Sequence, residues 1–134
     1  MGFKLIEGMQ PPILKERLVT NGEAVVAGQA LQFVAGRLTA SSGDDPVAAV
    51  AFDNVPAGVD QTCKVVIVDG VQTWEVPYEG QPVAGFVIGA NAVQIADGSV
   101  ALDATAVAGG ACSVIQINPD NGTAHIRFNN RQIS

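Results

Sequence analysis

Apolar and polar residues fall into short runs along this chain, and tight-turn dipeptides separate many of them. The last run is the plainest. Ala124, Ile126 and Phe128 fall on one side and Thr123, His125 and Arg127 on the other, the period of two expected of a half-buried strand. Val47 to Phe52 is wholly apolar, which suits a strand buried on both faces. Cys63 to Val68 and Val71 to Val76, joined by Asp69-Gly70, predict a hairpin. Its second strand sets Val71, Thr73 and Glu75 against Gln72, Trp74 and Val76, with Trp74 expected to cover the core or a subunit contact. Asn21-Gly22, Asp97-Gly98 and Asn121-Gly122 mark further tight turns, because Asn, Asp and Gly tolerate positive φ at least cost.

Between these landmarks, Ala24 to Phe33 and Arg37 to Ala40 flank a turn at Gly36, and Ser41 to Pro46 reads as a loop. Val55-Pro56-Ala57-Gly58 makes another turn, and Pro77 and Pro82 stop strand pairing. Phe86 to Ile88, Ala92 to Ile95, Val100 to Leu102 and Ser113 to Ile117 are further short strand candidates. No stretch of ten or more residues holds a helical period. The pattern predicts an all-β fold: one compact barrel or sandwich of short antiparallel strands behind an extended amino-terminal arm.

The arm is residues 1–20. Pro11-Pro12 imposes extended backbone at and before the pair. Phe3, Leu5, Ile6, Ile13, Leu14, Leu18 and Val19 are too apolar for a segment left in water, so the arm is expected to order on a neighbour. Residues 21–134 form the single β domain. A weak internal echo divides it into halves at 21–76 and 77–134: Gly22-Glu23 and Val26-Ala27-Gly28 resemble Gly80-Gln81 and Val83-Ala84-Gly85, and Leu31 to Leu38 resembles Val93 to Val100.

Composition changes the picture in two ways. Charged residues are 15% of the 134 and aromatics 5%, so Val and Ala must fill the core, and a low-charge surface points to an oligomer or an assembly component. The net charge of −6 is unevenly placed: residues 38–126 hold ten acids against Lys64 alone, while both ends are mildly basic. An acidic body of this kind disfavours nucleic acid. The apolar runs are far too short to span a membrane, and the start carries no secretory pattern, which predicts synthesis in a cytoplasm.

The inventory of chemistry is thin. Cys63 and Cys112 stand far apart inside predicted strands and read as buried reduced thiols, with a bridge between them as the alternative. His125 is alone on the polar face of the terminal strand and reads as exposed and idle. Asp44-Asp45 before Pro46 suits a turn, the acids lack an EF-hand spacing, and the glycines form no phosphate-binding loop. Gly109-Gly110 reads as flexibility or close packing. No catalytic, metal or cofactor site is expected, and the protein is read as not an enzyme.

The succession Gly22-Glu23-Ala24-Val25-Val26-Ala27-Gly28-Gln29-Ala30-Leu31, Gly36, Pro46-Val47-Ala48-Ala49-Val50-Ala51-Phe52, Gly58 and the segment from Cys63 to Val76 resembles the small capsid decoration, or cement, proteins of tailed bacteriophages. That resemblance implies a β-barrel or β-tulip-like fold and a homo-oligomer, a trimer in preference to a dimer. It also implies a place on the virion surface, with the major capsid protein as partner and stabilisation of the expanded head as the task. On this reading Phe3, Leu5, Ile6, Ile13 and Leu14 are apolar anchors of the arm, and Lys4, Lys15 and Arg17 meet capsid carboxylates. The second expectation is a carbohydrate- or cell-surface-binding module of a phage fibre, with Trp74 as its stacking aromatic.

Overall fold

Two sheets share the chain, and apart from its first strand the crossing from one to the other falls at Asp69-Gly70. A computed structural model describes residues 2–8 and 12–132, and among them the regular structure is entirely strand. The strands are β1 (Lys4–Glu7), β2 (Lys15–Leu18), β3 (Ala30–Val34), β4 (Arg37–Ala40), β5 (Ala49–Ala51), β6 (Thr62–Ile67), β7 (Thr73–Glu79), β8 (Leu102–Asp103), β9 (Cys112–Asn118) and β10 (Thr123–Phe128). The first sheet runs β2-β6-β5-β3-β4 and the second β1-β7-β10-β9, with β8 beside β7. All pairs are antiparallel except β7 with β8. The all-β expectation therefore holds, in its sandwich form; neither sheet closes into a barrel.

Side-chain alternation distributes the core between two places. Ala30, Val50 and Val66 of the first sheet face the second sheet, where Trp74, Val76, Val114, Ala124, Ile126 and Phe128 complete the main core. Leu31, Leu38, Ala49, Ala51, Cys63 and Val65 face away from it into a smaller core roofed by Val19, Val25 and Val55. β5, at the centre of the first sheet, is thus buried on both faces, and that is why Val47 to Ala51 carries no polar alternation. A parallel bridge between Val19 and Leu38 curls the sheet around this second core.

The expected hairpin from Cys63 to Val76 is not one. β6 pairs with β2 and β5, whereas β7 pairs with β1, β10 and β8, so Asp69-Gly70 carries the chain from one sheet to the other. The crossing is held locally: the Asp69 carboxylate accepts the amides of Val71 and Gln72 at 2.9 and 2.8 Å, and the Gln72 side chain accepts the Asp69 amide at 2.8 Å. These bonds satisfy the corner without cross-strand pairing. Asn121-Gly122 does close a hairpin, between β9 and β10.

A second hairpin, β3–β4, turns on Ala35-Gly36, with φ of +52° and +79°. Positive φ at both central residues is the type I′ geometry, and Ala35 is the poor fit. Ala35→Asn should raise the thermal midpoint by stabilising the fold by about 0.5–1 kcal/mol, and Ala35→Val should lower it. A lower midpoint for the Asn variant would contradict this turn assignment.

The echoed segments differ in build. Leu31 to Leu38 forms the β3–β4 hairpin, while Val93 to Val100 makes only isolated bridges from Val93 to Cys112 and from Ile95 to Gly43 and Leu102. Phe86 to Ile88, expected as a strand, lies in a turn. The first sheet takes β2 to β6, and the second takes β7 to β10 together with β1.

The described residues of the amino-terminal segment hold two strands, and the ladder partners of both lie within this chain. β1 forms an edge of the second sheet and β2 an edge of the first. Phe3 is 4% exposed and packs on Phe128 with ring centroids 5.2 Å apart. The apolar residues that needed burial find much of it at home. Both cysteines are free and buried, as read from the sequence, and burial pushes each thiol above its ordinary pKa.

Candidate functional site

The strip that crosses from one sheet edge to the other gathers the residues expected to bind. Its eight expected contacts separate by depth. Phe3 belongs to the main core, and Leu5 and Leu14 pack partly against it. Ile6 is half-buried. Lys4, Ile13, Lys15 and Arg17 are exposed, Ile13 at 58%, with Leu18 beside them at 39%. Met9, Gln10 and Pro11 lie outside the described residues.

β2 explains the outward side chains. All four of its residues are exposed, because its ladder bonds go to β6 on one side and neither core lies beneath Lys15 to Leu18. Among the described residues Lys4, Lys15 and Arg17 make no ion pair; Arg17 donates to the Glu16 carbonyl at 2.8 Å. A shallow cleft of about 240 Å³ lies where Pro12, Ile13 and Lys15 meet Ile67, Asp69 and Gln72. With Lys4, Lys15 and Arg17 set against Glu7 and Glu16, the strip offers a mildly basic, partly apolar edge on an acidic body.

On the outer face of the second sheet, Glu75 and His125 sit opposite each other on β7 and β10, with carboxylate and imidazole 3.4 Å apart. His125 is thus half-buried and partnered rather than idle. Neither thiol accompanies it: Cys63 lies in the second core and Cys112 in the main core. Trp74 is 2% exposed and stacks edge-on against Phe128 at 5.9 Å, which removes it as a sugar-stacking surface. No group of three His, Cys, Asp or Glu side chains is placed to hold a metal ion among the described residues.

Sequence reasoning missed one surface. At the far end of the second sheet, Tyr78, Pro82, Phe86, Val87, Ile88, Ile117 and Pro119 line an apolar groove of about 550 Å³. Phe86 is held under the loop by Tyr78, ring centroids 4.9 Å apart, while Val87 and Ile88 are 51% and 66% exposed. The signal was the triplet Phe86-Val87-Ile88, which is apolar throughout and reads equally as a buried strand. No family model matches the sequence, and no curated protein matches it as a relative.

Proposed function

We propose that the protein is a structural virion component that binds the outside of a phage head and clamps neighbouring major capsid subunits, stabilising the expanded shell. The observation that supports this most is the exposed strip at β2, where Lys15 and Arg17 stand on a sheet edge with Ile13 exposed just before it. A sheet edge is where a second chain adds most readily, and the cations would orient it on an acidic partner surface. The clamp is then a docked edge, because the segment that carries it is built into both sheets. A homo-oligomer, a trimer in preference to a dimer, would present several such edges at once and multiply weak contacts through effective concentration.

The test is co-sedimentation with expanded phage heads assembled without the protein. The variant combines Ile13→Asp, Lys15→Glu and Arg17→Glu, all at exposed positions. An apolar side chain buried on docking contributes about 1.5–3 kcal/mol, so binding should fall by at least about tenfold with the melting midpoint unchanged. Undiminished sedimentation of the folded variant would remove β2 as the contact.

A further inference from the structure

Asn21-Gly22 and Asn121-Gly122 are the same dipeptide, and in both the asparagine is exposed. An asparagine before glycine carries a reaction of its own. The glycine amide nitrogen lies close along the chain to the asparagine Cγ, and glycine has no Cβ to keep the two apart. The remaining asparagines precede Val, Ala, Pro, Asn or Arg, whose side chains crowd that nitrogen or, at Pro119, leave it without a proton.

The fold treats the two sites differently. Asn21 Oδ1 accepts the Asp60 amide at 2.9 Å and an Arg37 guanidinium N–H at 3.2 Å, and Arg37 is itself held by Asp60 at 2.7 Å. The Gly22 amide donates to the Gly58 carbonyl at 2.8 Å. Both reacting groups are thus tied across to residues 58–60, and bringing them together breaks those bonds. The second site sits at the tip of the β9–β10 hairpin, where the Gly122 amide has a longer bond, 3.3 Å, to Pro119 within its own turn. Among the described residues the asparagine side chains that bond are those of Asn21, Asn54 and Asn129, not that of Asn121.

We propose that Asn121-Gly122 is a self-modification site, at which water converts the asparagine to aspartate and isoaspartate, while Asn21 in the same dipeptide is kept. The Gly122 amide gives its proton to hydroxide, and its nitrogen attacks Asn121 Cγ. The N–Cγ bond forms, the Cγ–Nδ2 bond breaks, and the side-chain nitrogen leaves as ammonia with a proton from water. A second water opens the cyclic imide at either carbonyl, and nothing is oxidised or reduced. The product adds one negative charge to a chain that already stands at −6. Its isoaspartate form also routes the backbone through the side-chain carbon, which lengthens the connection between Asn118 and Thr123, the last pair of the β9–β10 ladder. The reaction needs no partner protein, so it holds whatever the β2 edge binds.

The experiment incubates the whole protein at mildly alkaline pH in water enriched in heavy oxygen and follows label at each asparagine by peptide mass analysis. Asn121 should take up label at least about tenfold faster than Asn21, with both aspartate and isoaspartate formed. In urea, which removes the bonds that hold Asn21 and Gly22, the two rates should converge. Equal rates in the folded protein, or a margin that survives in urea, would overturn the proposal. So would faster conversion at Asn21, since Arg37 and the Asp60 amide would then be stabilising the charge that develops on Oδ1 during attack.

Discussion

Gly110→Ala should cost the fold about 3 kcal/mol or more, at the upper end of what an added methyl does in a packed interior. A Cβ at Gly110 would overlap the Val93 carbonyl and the Gln94 amide, all backbone atoms that have no rotamer to move away. The approach is tight because the Gly110 amide donates to the Ala92 carbonyl at 2.8 Å while Val93 and Cys112 exchange bonds just beyond it. Parting the two segments would break that set of bonds and lift Val93 and Cys112 out of the main core. Gly109→Ala is the informative contrast. Gly109 has φ of +80° and its nearest neighbour is 3.7 Å away, so strain alone operates there, about 1 kcal/mol. Urea unfolding of the two variants would separate the mechanisms; equal losses would mean that the contact with Val93 does not matter.

Phe3→Ala should cost about 3–5 kcal/mol, a large share of the roughly 5–15 kcal/mol that holds a domain together. Its ring fills the end of the main core against Phe128, which itself meets Trp74. Phe3→Leu should lose less than about 1.5 kcal/mol, because volume is nearly kept. Removing residues 1–20 should be worse than either single change, since it takes away β1, β2 and the buried Val19 together. Such a truncation would report on folding and not on partner binding. A Phe3→Ala protein that unfolds at the wild-type urea concentration would show that the ring is not seated where the structure puts it.

The strands whose partners are local were legible in the sequence. Thr123 to Phe128 shows its two faces at once, and its partner β9 is four residues away across Asn121-Gly122. The segment around Asp69-Gly70 looks the same locally, yet its strands part company, because pairing is decided by β2, β5 and β10, which the local pattern does not contain. Apolar content showed that Phe3 and Leu14 must be buried, but composition is silent on whose core receives them. The exposure of Lys15 and Arg17 was readable as charge, whereas that of Ile13 ran against its apolar character. Phe86-Val87-Ile88 was misread for a related reason: a run of apolar residues looks alike whether it fills a core or rims a groove.

Phe3 leans on Phe128, and near the other end Gln132 bonds both the amide and the carbonyl of Phe33 while Val47 is bridged to Arg131. β1 and β2 therefore have no ladder to join until β7 and β6 have been made, and the main core is not filled until Phe128 is present. Contacts this distant in sequence must overcome loop-closure entropy before they repay it, which slows the approach to the native state. Phe3 and its apolar neighbours accordingly stay uncovered until the residues around Phe128 have been made, more than a hundred positions further along the chain.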